Sequence, residues 1–135
     1  MKLRRAMVTK MQSHLEQTYP HEGCGVMLGT QDAITDIFRG TNIRQDRKED
    51  RFLLDPSDIK HAEEYAKQQG IEVVGFYHSH PDHPARPSAT DLESAWDSYY
   101  YVIVSIDRGA MNKIGMFRLS EQGDRFVDEE VTIED

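Results

Sequence analysis

His78-Ser79-His80-Pro81 is followed, after six intervening residues, by Ser88-Ala89-Thr90-Asp91. The two histidines close an apolar run from Ile71 to Tyr77, and side chains two residues apart in a strand leave on the same side. Imidazoles so placed can share one metal ion. A carboxylate from Asp91 would add a third ligand, and three protein ligands with the fourth position left to water is the arrangement of a catalytic zinc. Water held there has its pKa lowered toward ~7, so the chemistry to expect is hydrolysis at neutral pH.

Each piece also has a plainer reading. A histidine pair at a strand end can be a surface accident, and Ser88-x-x-Asp91 fits a helix capping box that satisfies free backbone N–H groups. Together, however, these residues fall within fourteen positions, in one strand-loop-helix unit stiffened by Pro81, Pro84 and Pro87. Ser88 can cap the helix while Asp91, one turn in, points back toward the imidazoles. Hydrolysis further needs a general base, normally a carboxylate that moves the proton to the leaving amine. Glu22, just before the glycine-flanked strand Cys24 to Leu28, is the candidate; its plain alternative is a solvated turn acid. Ser88 could donate to the developing oxyanion.

The elements that must position these groups follow from periodicity. Leu3, Met7, Met11 and Leu15 repeat every fourth residue, predicting a helix on the outside of a sheet that ends near Tyr19-Pro20. Gly23 to Gly29 reads as a strand with Ala33 to Thr41 as its partner. Asn42 to Asp50 is polar without apolar periodicity, an exposed and mobile loop, and Arg51 to Leu54 is a brief strand. Asp55-Pro56-Ser57-Asp58 carries the signals of a helix start, with Ile59, Ala62, Tyr65 and Ala66 as the buried stripe and Gly70 as the stop. Ile71 to Tyr77 is nearly continuous in apolar residues and so belongs at the sheet centre. Ser88 to Trp96 begins a third helix. Tyr99 to Ile106, Met111 to Leu119 and Arg125 to Ile133 are further strands, the last at an edge.

Composition narrows the function class. A chain of 135 residues fits one domain. A net charge of -8 argues against a general nucleic-acid binder, because such binding depends on neutralising phosphates. Cys24 is the only cysteine, which excludes a disulfide framework or a Cys-rich zinc site and favours a reducing compartment. No signal-peptide core or membrane-length apolar run is present, so the expected location is cytoplasmic. His14, His21 and His61 read as structural or solvated, His83 as an exposed loop residue, Cys24 as a small buried residue and Trp96 as packing.

Glu22 with Gly23-Cys24-Gly25, then His78-Ser79-His80-Pro81, Ser88 and Asp91, resembles the JAMM (MPN-plus) metalloprotease motif, E…HxHPx(6 or 7)SxxD, over about residues 1 to 120. That resemblance implies zinc (Zn2+) ligands at His78, His80 and Asp91, a general base at Glu22 and a transition-state stabiliser at Ser88. It also implies an α/β (α+β) fold of cytidine-deaminase-like type, a mixed β-sheet flanked by helices, as a single domain over residues 1–135. The chain is most similar to compact, stand-alone prokaryotic members, which resemble enzymes trimming residues from the C-terminal Gly-Gly of ubiquitin-like sulfur carriers. A carrier-protein tail is therefore the expected substrate, and an extended tail could add to an exposed sheet edge. Two alternatives stay open: a non-catalytic scaffold of the same fold, and a peptidase of a phage-tail or DNA-repair-associated branch. A base deaminase is excluded, since it requires a Pro-Cys-x-x-Cys pair.

Overall fold

The computed structural model describes residues 1–135. At mid-chain the local signals act as written. Helix α2 (Pro56–Gln69) starts where the Asp55 side chain accepts the Ser57 N–H, and it ends at Gly70, whose φ of 71° lies in the left-handed region. Ala62 and Ala66 form its buried stripe, whereas Tyr65, expected there too, is exposed. Strand β4 (Glu72–Pro81) lies between antiparallel β2 (Cys24–Gly29) and parallel β5 (Tyr100–Asp107). Being paired on both sides and covered on both faces, it can carry an uninterrupted apolar run.

Eight strands form one sheet in the order β7-β6-β5-β4-β2-β3-β1-β8. The remaining strands are β1 (Lys2–Arg4), β3 (Ala33–Arg39), β6 (Ala110–Leu119), β7 (Phe126–Glu129) and β8 (Thr132–Glu134). Strands β7 and β8 stand at opposite ends of that order, yet only Glu130 and Val131 separate them in the chain. Two residues reach no more than about 7–10 Å, so the sheet is curled until its two edges nearly meet. Helix α1 (Arg5–Thr18) occupies the concave side, touching β1, β3, β5 and β6. Its Met7, Met11 and Leu15 pack there with Leu3, Tyr77, Val102 and Val104. Helix α2 covers the other face over Cys24, Val26, Leu28 and Phe76.

Several expectations are corrected. Leu3 belongs to β1, pairing in parallel with Ile34 and Ile133, rather than to the first helix; its spacing from Met7 fits a helix, but long-range pairing decides. The last expected strand is two, β7 and β8, on opposite edges. Arg51 to Leu54 contributes a single bridge, Leu54 with Asn42. Asn42 to Asp50 is a largely exposed loop, as expected, though backbone and side-chain hydrogen bonds tie it to Glu22. Helix α3 (Ala89–Ser94) stops short of Trp96. The β5–β6 hairpin turns through Arg108 and Gly109, both with positive φ, as a two-residue turn between twisted strands requires. No helix is long and apolar enough to cross a membrane.

His14 is buried on α1, with Nδ1 2.7 Å from the Tyr77 hydroxyl. Burial, assisted by the Arg39 charge, lowers its pKa to about 4. Below the ordinary value near 6.5 the unfolded chain takes up a proton that the folded ring refuses, so stability declines as pH falls. In chelator-treated protein, urea unfolding at pH 7 and pH 4.5 should show the wild type losing roughly 2 kcal/mol more than His14→Gln. Equal losses would contradict the assignment.

Candidate metal centre

Strand β4 runs past Tyr77 through both histidines to Pro81, so His78 and His80 lie inside the sheet rather than beyond its end. Both are buried. Alternation turns them to the face opposite Tyr77, where Tyr101 and Ile103 of β5 also line the space beside His78. Asp91 arrives from the first turn of α3. Its carboxylate bridges the pair: Oδ1 is 3.1 Å from His78 Nε2, and Oδ2 is 3.1 Å from His80 Nε2. The capping box forms as well, with the Asp91 N–H donating to Ser88 Oγ and the Ser88 N–H donating to Asp91 Oδ2. The helix cap and the approach of the Asp91 carboxylate to the imidazoles are therefore compatible, because the cap is what aims the carboxylate.

The donor set fits a cation. His80 Nδ1 lies 2.8 Å from the Pro84 carbonyl, which can only accept, so Nδ1 carries the hydrogen and the neutral ring presents a bare Nε2. That lone pair faces His78 Nε2 at 3.2 Å and a carboxylate oxygen at 3.1 Å. Lone pairs so crowded repel unless a proton or a metal lies among them. The three ligand atoms lie within 4.8 Å of one another, and two nitrogens with one oxygen is a donor set that zinc accepts.

Electrostatics agree. For Asp91, burial acts upward, but hydrogen bonds from His78 and His80 outweigh it and hold the carboxyl well below the usual range. Burial lowers the pKa of His78. For His80, burial acts downward and is overcome by Asp91, the Pro84 carbonyl and the Glu22 charge, so its pKa rises. The two histidines thus shift in opposite directions.

Glu22 stands outside any strand, one residue before Gly23, which donates its N–H to Ser79 Oγ and accepts the Ser79 N–H. Ser79 points away from the histidines and fixes Glu22's neighbour to the strand that carries them. Glu22 is buried, and with His78, Asp91, Phe52, Tyr101 and Phe126 it lines a cavity of about 40 Å³, room for about one water or ion. Burial raises its pKa to about 8. Ser88 is exposed and borders a neighbouring groove rather than this cavity. The two widest grooves, about 600 and 810 Å³, contain none of the five expected residues, so size does not locate the chemistry. Both flanks of β4 are taken, and the open edges are β7 and β8; β7 brings Phe126 to the cavity.

Other contributors escape sequence reading. Phe52 stacks on His78 with ring centroids 4.6 Å apart, and no local pattern distinguishes it from a small strand residue. Tyr101 follows from alternation only once β4 and β5 are known to be parallel neighbours. His83, His61 and His21 are exposed, as expected. Cys24 is buried, and burial pushes its thiol up to about 12. Trp96 packs edge-on against Phe76 but remains half exposed.

The sequence profile for prokaryotic homologs of the JAB domain matches residues 4–119. A desampylase of Haloferax volcanii is 40% identical over 91 residues, covering 65% of this chain and 65% of that protein; the match thus spans less than two thirds of that relative's length. A probable TtuB-protein conjugate cleaving protease of Thermus thermophilus is 28% identical over 76% of this chain and 68% of that protein. Among solved structures, a Salinibacter ruber protein superposes with a TM-score of 0.77 at 39% identity over 100% of this chain and 92% of that one. A JAB1/MPN domain protein of Archaeoglobus fulgidus, 19% identical, shares the fold at a TM-score of 0.63, covering 99% of this chain and 100% of that one.

Glu22 leads to a stability prediction. Between pH 4.5 and 8 the unfolded carboxyl is ionised while the buried one stays protonated, so the metal-free fold loses stability as pH rises. Glu22→Gln escapes that penalty. With chelator present, the variant should unfold at higher urea than wild type at pH 7.5, with the gain disappearing at pH 4; a destabilised variant at pH 7.5 would refute the raised pKa.

Proposed function

Because the chain belongs to the Prok-JAB family, the prokaryotic homologs of the JAB domain, we propose that it is a zinc-dependent peptidase or isopeptidase. Its substrate is the bond after the C-terminal Gly-Gly tail of a ubiquitin-like or sulfur carrier protein. The observation that carries this reading is the buried His78–His80–Asp91 cluster, two of whose members, His78 and Asp91, line a one-water cavity together with Glu22. The substrate class is supported by the relatives, one a desampylase and the other a probable TtuB-protein conjugate cleaving protease.

His78, His80 and Asp91 would hold the metal, and the Pro84 carbonyl fixes the His80 tautomer so that Nε2 faces inward. Bound zinc supplies Lewis acidity, lowering the pKa of water toward ~7 and polarising the scissile carbonyl. Glu22 takes the proton from the attacking water and passes it to the leaving amine nitrogen. Its pKa is already lowered in part by His80, and further positive charge in the cavity acts the same way, leaving the carboxylate able both to accept and to return a proton near neutral pH. Ser88 Oγ accepts the Asp91 N–H, so its own hydrogen remains to be donated to the carbonyl oxygen as charge develops there. Phe52, Tyr101 and Phe126 wall the cavity and limit water beside the reacting bond.

The test uses purified protein, a panel of ubiquitin-like carriers extended past Gly-Gly, a mass readout and a chelator control. Wild type should release the extension only when zinc-loaded. Glu22→Gln should keep one zinc per chain and lose at least about 100-fold in rate; normal cleavage by that variant would remove Glu22 from the mechanism. Asp91→Asn should purify without zinc, and retention of stoichiometric metal would refute the ligand set.

A further inference from the structure

Glu22 receives its backbone partners from the 42–54 segment and not from the sheet. Its N–H donates to the Lys48 carbonyl at 2.6 Å, and its own carbonyl accepts from the Asn42 side chain at 3.0 Å. The Asn42 amide is fully used. Nδ2 donates to the carbonyls of Glu22 and Arg51, at 3.0 and 3.1 Å, while Oδ1 accepts the N–H groups of Arg44 and Leu53, both at 3.1 Å. All four partners are backbone groups of fixed polarity, so the orientation of the amide is settled: two carbonyls can meet only the NH2, and two N–H groups only the oxygen. The segment's neck is closed by the Asn42–Leu54 bridge and the Ile43 N–H to Leu53 carbonyl bond. Its far side presses Phe52 onto His78.

We propose that Asn42 is a positioning residue for the reaction: its side-chain NH2 holds the Glu22 backbone and the 42–54 segment as one clamp, setting where the Glu22 carboxylate stands relative to the metal ligands. The inference rests on the reading of Glu22 as the general base. A general base must stay within hydrogen-bond reach of the proton it moves, and displacements of about 1 Å in a catalytic group can lower rates about 100-fold. No strand ladder constrains Glu22, so the amide supplies what the sheet does not.

Two variants divide the hub. Asn42→Ala removes all four bonds. Asn42→Asp keeps both acceptor bonds to Arg44 and Leu53, and with them the neck, but cannot donate to Glu22 or Arg51. If Asn42 acted only through the two accepted bonds that close the neck, Asn42→Asp would keep activity; acting through its donated bonds, it should not. With zinc-loaded protein and the extended-carrier assay, both variants should lose about 10- to 100-fold in kcat, with KM within about twofold and one zinc per chain retained. Amide hydrogen exchange on the zinc-loaded protein alone should show the Glu22 N–H exchanging faster in both variants, and the Leu53 N–H faster in Asn42→Ala only. Wild-type kcat in Asn42→Asp, or unchanged exchange at Glu22 in both variants, overturns the proposal. Should Glu22→Gln cleave normally, the general-base reading falls by that control, and the exchange result still decides whether Asn42 holds Glu22.

Discussion

Lone pairs crowded into one small, largely buried space are the constraint around which this molecule is arranged. His78 Nε2, His80 Nε2 and the Asp91 carboxylate converge from a strand and a helix, and each alone is poorly served by its surroundings. Burial removes the water that would hydrate them, while the Pro84 carbonyl takes the hydrogen that could have separated them. What remains is a strong demand for positive charge at one point. No buried polar side-chain atom of the fold lacks a partner; what sets this site apart is that its partners are acceptors facing one another.

The same burial shapes Glu22. An acid held where its charged form is disfavoured reduces the stability of the metal-free protein, and the compensation is spread through its surroundings: Ser79 on Gly23, Lys48 on its N–H and Asn42 on its carbonyl. A solvated turn acid, the plain reading of Glu22, would need none of these. Glu22 is buried, so the solvated turn acid does not describe its place. Sites of function are commonly such places of local strain against stability.

How much could be read in advance follows the range of each determinant. The five site residues carry their signal in type and spacing, and α2 carries its own in Asp55, Pro56 and Gly70, all within a few residues of the structure they specify. Leu3 shows the limit. Its fourfold spacing with Met7 fits a helix, and only pairing with Ile34 and Ile133 makes it a strand residue. Asn42 shows a different limit, because an asparagine in a polar stretch is locally ordinary and its partners lie at Glu22, Arg51 and Leu53. Val127, Val131 and Ile133 alternate as one strand would, yet the break at Glu130 and Val131 sends the chain from one margin of the sheet to the other. No local pattern encodes that the margins approach each other.

That approach bears on how the chain matures during synthesis. Strands β2, β4 and β5, with α3, emerge from the ribosome well before β8, so His78, His80 and Asp91 can come together on a half-wrapped sheet. Helix α1, made early, must wait with Met7, Met11 and Leu15 incompletely covered until β6 arrives and β8 pairs with β1. A nascent chain released before that point would carry a complete set of ligands and an oily flank together. Truncated products of this protein would accordingly expose that flank and be prone to clump.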